Sequence, residues 1–230
     1  MYLVLGKFFT ESFKAESNII IEGGLNMEYY ELHPDTPQLR YINKAVKILK
    51  DGGIIIYPTD TVYGIGCDIF NKEALERIFT IKNDGITKLF SFVCSDLKDI
   101  AKYAKVSDYA YRTMKHLLPG PYTFILPAAK QVPKKLWSKR KTVGIRVPKH
   151  AVALKLVAEL GNPIISTSTT NRKGTLIIDP VEIKSIFENQ VDLMLSQGGL
   201  SGKPSSIVDL SGEAPEIIRE GVGDISFFYK

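Results

Sequence analysis

Between the glycine pair Gly52-Gly53 and Pro58, the chain sets four large apolar side chains in succession, Ile54, Ile55, Ile56 and Tyr57. Alternate side chains of a strand point to opposite faces, so an unbroken apolar run has to be covered on both sides. This commits the chain to a sheet with helices packed over it, and the flanking segments supply the helices. Upstream, Ile42, Ala45, Val46 and Leu49 recur at the helical period, and Gly52-Gly53 gives the stop. Downstream, Asn71 is placed to cap a helix whose apolar face is Leu75, Ile78 and Phe79.

The same mixture continues to the end. "LFSFVC", "TFILPA", "TVGIRVP", "NPIIST", "VDLMLS", "SSIVDL" and "PEIIRE" read as strands. "SDLKDIAKYA" and "SDYAYRTMKHLL" read as helices opened by Ser or Asp caps, with further helices at His150 to Leu160 and after Pro180. No low-complexity tract or repeat divides the 230 residues. The expectation is a single α/β domain: a twisted mixed β-sheet flanked by helices, over residues 27–230. A second methionine, Met27, opens a natural domain beginning. Before it, Glu22-Gly23-Gly24 can be encoded by a purine-rich ribosome-binding sequence, so residues 1–26 are expected to be an untranslated leader or an optional extension. An intact mass of native protein that starts at Met1 would contradict this.

Cys67 and Cys94, both within apolar runs, are expected to be buried small hydrophobes rather than a disulfide framework. With no apolar run near the ~18 residues of a membrane span, the chain is expected to be cytoplasmic with no membrane partner. The formal net charge is +5, and Lys130 to Lys155 holds nine Lys or Arg and no acid. That stretch suggests contact with a polyanion, either RNA or tRNA or a nucleoside triphosphate.

Several common nucleotide and catalytic signatures are excluded. "GGLSGKPSS" lacks the spacing and the hydroxyl of a Walker loop, "GIGCDI" lacks the third glycine of a dinucleotide fingerprint, and three scattered histidines have no metal-ligand spacing, so no protein-bound metal is expected. What remains is a group of short segments rich in hydroxyls and small residues at strand ends: "PTDTVYG", "PGPYTF", "STSTTN" and "GKPSS". In α/β sheets, ligands bind where loops leave strand ends, and small side chains there let backbone donors approach an anion. Together with the cations Lys82, Lys88, Arg146 and Arg219, these segments suggest a polar nucleotide pocket.

"YPTDTVYGIGC", the helix ending in "IK", "PGPYTFIL", "TVGIRVP", "STSTTN", "GGLSGKPSSIVDL" and "IIREG" occur in the order and approximate spacing of the YrdC-like family, which includes threonylcarbamoyladenylate synthase. The resemblance runs from about Met27 to Gly223, and "HPDTPQ" and "KRKTVGIRVP" look most like its YciO-like branch. It implies that L-threonine, bicarbonate and ATP, the last with Mg2+, give threonylcarbamoyl-AMP and pyrophosphate. Separate threonylcarbamoyl transferase machinery would then modify an adenosine of tRNA. Carried over by motif, Thr61, Arg146, Ser168 and Ser205 would bind threonine, with its carboxylate against the Arg146 fork. Lys88, Thr142, Asn171 and Arg219 would face the nucleotide, and Lys82 and Lys88 would be catalytic. Gly64 and Gly66 would allow close backbone approach.

The match departs in two places. Where the family's synthases carry Lys-x-Arg and then Lys-Pro, this chain keeps Lys82 and Lys88 but has Asp84 and Leu89. In "STSTTN", Ser168 and Asn171 are one residue too far apart for a direct match. Two readings stay open: a synthase, or a paralogue that binds RNA or a nucleotide with little or no synthesis.

Overall fold

In the computed structural model, which describes residues 27–82, 90–133, 136, 138 and 140–229, the Ile54–Tyr57 run lies at the centre of a two-sided core. Strand β2 (Ile55–Tyr57) and the preceding Ile54 divide their side chains between two clusters: Ile54 and Ile56 join one, Ile55 and Tyr57 the other. All four are fully buried. Helix α1 (Leu39–Lys50) and helix α5 (Ala151–Leu160) cover one face through Ile42, Leu49, Leu156 and Leu160. The other face is covered by α2 (Lys72–Ile81), α3 (Leu97–Tyr103), α4 (Asp108–Leu117) and α6 (Pro180–Phe187). The expected α/β layering is therefore present, and each side draws its stability from removing apolar area from water.

Local signals fix the helix starts. Asn71 Oδ1 accepts from the Ala74 N–H at 2.9 Å, Asp96 Oδ1 from Lys98 N–H at 2.7 Å, and Ser107 Oγ from Ala110 N–H at 3.2 Å. Each satisfies a first-turn donor that the helix cannot pair internally. Asp179 does the same for α6, with Pro180 in the first turn, where its missing N–H costs nothing.

The remaining strands are β1 (Glu28–Glu31), β3 (Gly64–Asp68), β4 (Ser91–Val93), β5 (Tyr122–Pro127), β6 (Thr142–Arg146), β7 (Ile164–Ser168), β8 (Leu193–Ser196), β9 (Ser206–Asp209) and β10 (Glu216–Arg219). They form one ten-stranded mixed sheet in the order β1-β8-β2-β3-β7-β4-β6-β5-β9-β10. Two of these strands are not anticipated by the sequence. β1 is a short edge strand of two tyrosines between two glutamates, and β3 contains two glycines, which carry no side chain to advertise a pleated surface.

Those glycines have a structural reason. A Cβ on Gly66 would lie 2.4 Å from Ile164 Cγ2 and 3.0 Å from Ile165 O; one on Gly64 would lie 2.8 Å from Ser166 Oγ and 3.2 Å from the Tyr57 ring. The close approach is thus to β7 and Tyr57, inside the sheet. Gly66→Ala is expected to destabilise the fold by roughly 1–3 kcal/mol through overpacking, measurable as a lower urea midpoint. An unchanged midpoint would show that β7 yields without cost.

Cys67 and Cys94 are free and fully buried, and burial pushes both thiols far up from their usual range. They are inert core residues.

Candidate active site

Register, more than loop position, forms the site. Ser166 of β7 pairs with Gly66 of β3 on one side and with Ser91 of β4 on the other, and Ser91 also pairs with Gly144 of β6. Ser166, Ser91 and Gly144 thus set three small residues side by side in adjacent strands. All three line a cavity of about 780 Å³. Sequence reading placed the hydroxyl-rich segments in loops at strand ends. Ser166 and Thr167, which also fell in the expected strand "NPIIST", belong to β7 together with Ser168, so part of the floor is sheet surface.

Around this floor the cavity gathers Lys82, Thr142, Arg146, Ser168, Asn171, Ser205 and Arg219. These come from five separate segments, from the end of α2 to β10. Thr61 does not line the cavity. It is fully buried behind the wall and reaches the site through Arg146, whose Nη2 donates to Thr61 Oγ1 at 2.6 Å. Lys88, Asp84 and Leu89 lie outside the described residues.

Arg146 is the structural centre. At the end of β6 its Nη2 donates to Thr59 Oγ1 at 3.2 Å, to Thr61 Oγ1, and to Asp60 Oδ1 at 2.5 Å. Asp60 is held from its other oxygen by the Lys149 backbone N–H at 2.9 Å. Both charged side chains are about a tenth exposed, 9% and 10%. All three side-chain bonds leave from Nη2, and the buried Nε has no hydrogen-bond partner. Part of the guanidinium fork is therefore fixed by the Thr59-Asp60-Thr61 turn, and part remains unsatisfied. Sequence reading chose Arg146 and Thr61 but gave Asp60 no role, since its partner is 86 residues away.

A second cation is fixed in the same way. Arg219 donates through Nε at 3.1 Å and Nη2 at 2.8 Å to the Ser205 carbonyl, while the Ser205 hydroxyl lies 2.9 Å from Thr123 Oγ1. Burial, with a smaller contribution from the positive charge of Arg146, lowers the Arg219 pKa. Both effects make an incoming anion favourable there. Thr142 is held by Ser138, Oγ1 to Oγ at 2.7 Å. Asn171 also shapes its own loop: its Oδ1 accepts from the Lys173 and Thr175 backbone N–H groups, each at 3.0 Å. Only its amide nitrogen is left to face a ligand.

Lys82, the residue that ends α2, is half-buried and donates to Thr170 Oγ1 at 2.5 Å. Burial pushes its ammonium down to about 8 from the ordinary 10.5. The unfolded chain holds this proton up to pH 10.5, and the folded chain releases it near 8. Between those values the unfolded state binds more protons, so folding stability rises with pH across that window and carries the full penalty below it. Lys82→Met is expected to stabilise the protein at pH 7, by on the order of 1 kcal/mol after allowing for solvent screening. Its advantage should vanish by about pH 10.5, as read from denaturant melts at both pH values.

Lys82, Arg146, Arg172 and Arg219 bring positive charge to the cavity, and none of its described lining residues is an acid. Low-dielectric walls strengthen such a field. Comparison with known proteins places the chain among relatives. Residues 47–221 match the Sua5_yciO_yrdC family model, described as telomere recombination. The chain is 44% identical over 203 residues to the Escherichia coli protein YciO, covering 87% of this chain and 98% of that one. The crystal structure of E. coli YciO superposes with a TM-score of 0.83 over 88% of this chain and 99% of the other. A Coxiella burnetii threonylcarbamoyl-AMP synthase is 35% identical over 175 residues, covering 75% and 94%. A Sua5 from P. abyssi, solved in complex with L-threonine, matches at 25% identity with a TM-score of 0.76, over 85% of this chain and 57% of that one. Sequence motifs, sheet order and relatives converge, and the chain belongs to the Sua5/YciO/YrdC family.

Proposed function

We propose that the cavity binds L-threonine and MgATP side by side and, with bicarbonate, forms threonylcarbamoyl-AMP and pyrophosphate. The observation that carries this reading is the convergence of Lys82, Arg146 and Arg219 on one cavity of about 780 Å³ with no acid among its described lining residues. An amino acid next to a nucleotide brings a carboxylate and a triphosphate, both anionic.

The chemistry divides between two ends. Threonine's carboxylate would accept from the part of the Arg146 fork not committed to Asp60, and the Ser205 and Ser168 hydroxyls would meet its polar atoms. Its amine becomes a carbamate, an unstable anion that survives best where water is excluded. A carbamate oxygen then attacks the α-phosphorus in line with the departing pyrophosphate. Lys82, Lys88 and Arg219 would hold the phosphates, with Thr142 and the Asn171 amide beside the nucleotide. Magnesium enters as part of the substrate, on phosphate oxygens. Positioning and preorganised charge supply the rate. The product would pass to transferase machinery acting on a tRNA adenosine. No helix among the described residues is long and apolar enough to cross a membrane; a cytoplasmic tRNA substrate fits the proposed role.

Calorimetric titration tests the binding half. L-threonine is expected to bind more tightly in the presence of MgATP, and serine more weakly than threonine. Heat from neither ligand would overturn the reading.

The second reading, an RNA-binding paralogue, is favoured by one observation: Lys130, Arg140, Lys141, Lys149 and Lys155 are exposed. Arg146, from the same basic stretch, is buried in its ion pair and would not contribute. RNA held by that face should lose affinity steeply as salt rises, through counterion release.

A further inference from the structure

Lys82 is placed unlike the chain's exposed lysines. Its side chain leaves the last turn of α2 for the cavity, where Phe79, Ile81 and Phe90 also line the wall. The Phe79 and Phe90 rings meet edge to face at 5.1 Å. The Lys82 ammonium donates to a neutral hydroxyl, Thr170 Oγ1. A hydroxyl can accept from an ammonium or turn and donate to an oxyanion, so the same neighbour serves two charge states of the lysine.

We propose that Lys82 is a reversible acceptor for carbon dioxide, its Nζ forming a lysine carbamate inside the cavity. The neutral amine's lone pair forms the N–C bond while one C–O π bond of CO2 breaks and its electrons become a carboxylate charge. The nitrogen then gives one proton to solvent. No oxidant or further co-reactant is required, and dissolved CO2 is the whole of the added group. Three features support the step. Burial keeps a fraction of the amine neutral near physiological pH. Thr170 Oγ1 stands ready to donate to the new oxyanion. The guanidinium groups of Arg146 and Arg219 in the same cavity favour an anion over the neutral amine.

Carbamate formation changes the charge at that point from +1 to −1. A phosphate-bearing ligand would then be repelled where it had been attracted, so CO2 capture and nucleotide binding oppose each other reciprocally. This last consequence rests on the proposed function; the carbamate itself does not.

The test incubates the full chain with 13C-labelled bicarbonate and CO2 at pH 8, alkylates any carbamate to a stable ester with a trialkyloxonium reagent, and maps the label by peptide mass spectrometry. Label at Lys82 is expected to exceed that at exposed Lys130 or Lys149 by ~10-fold or more, because far more of its amine is neutral. Thr170→Val should lower it, and Lys82→Arg should remove it while the protein melts normally. Label spread evenly over the exposed lysines, or a Lys82 yield no higher than theirs, would overturn the proposal. Adding MgATP separates the two ideas. If Lys82 is labelled and MgATP suppresses it, both stand. If labelling is indifferent to saturating MgATP, the carbamate stands and the placement of the triphosphate falls. If MgATP binds but Lys82 is never labelled, only the carbamate falls.

Discussion

Arg146→Met is expected to cost roughly 3–5 kcal/mol of folding stability and to abolish threonine binding, the larger of the two strongest effects anticipated. The stability loss comes from what is left behind. Asp60 would keep its burial and the Lys149 N–H but lose its cationic partner, leaving a carboxylate in a place water barely reaches. Desolvation is tolerable for the pair and expensive for the single charge. Asp60→Leu in the Arg146→Met background should therefore recover most of the unfolding free energy, because both charges are gone. It should not recover threonine binding, which needs the guanidinium. Arg146→Lys preserves charge but not the planar guanidinium whose Nη2 meets Thr59, Asp60 and Thr61, so intermediate stability and weak binding are expected. Urea melts and threonine calorimetry on the four proteins give the answer. Binding restored in the double variant would remove Arg146 from the substrate site.

Asp84→Arg is expected to tighten nucleotide binding by at least ~10-fold. The family resemblance implies a cation where this chain has Asp84, and the change reverses the sign of that side chain by two charge units. At an effective dielectric of about 20, one unit at about 5 Å from a phosphate is worth roughly 3 kcal/mol. Screening makes the effect larger at low salt, which provides a control: the gain should shrink as ionic strength rises. Equal nucleotide affinity for both proteins, at low and high salt, would show that position 84 does not sense the phosphates.

How much of this was legible in the sequence depends on the range of the interaction. Signals within one turn of the chain were readable: the helical period at Ile42, Ala45, Val46 and Leu49, and the caps Asn71, Asp96 and Ser107, each bonded as its type suggests. The uninterrupted Ile54–Tyr57 run gave the two-sided core. Of the residues singled out by motif, Lys82, Thr142, Arg146, Ser168, Asn171, Ser205 and Arg219 line one cavity. The floor was hidden because it depends on register. Nothing local in "LFSFVC" or "TVGIRVP" says that Ser91 and Gly144 will sit beside each other. The role of Asp60 was hidden for the same reason, and Thr59 and Thr123 look like ordinary turn or strand residues until Arg146 and Ser205 arrive beside them. The one available signal for Asp60 was its place between two threonines in "PTDT", an acid amid residues that otherwise avoid charge.

The central claim is that the cation-lined cavity joins threonine, bicarbonate and ATP in a single reaction. Pyrophosphate release by purified protein with MgATP tests it most directly, measured with both L-threonine and bicarbonate, with each alone, and with neither, alongside Asp84→Arg. The account predicts release only when both are present, with threonylcarbamoyl-AMP formed in equal amount and a faster rate for Asp84→Arg. Release that ignores threonine and bicarbonate, or none from either protein, would contradict it.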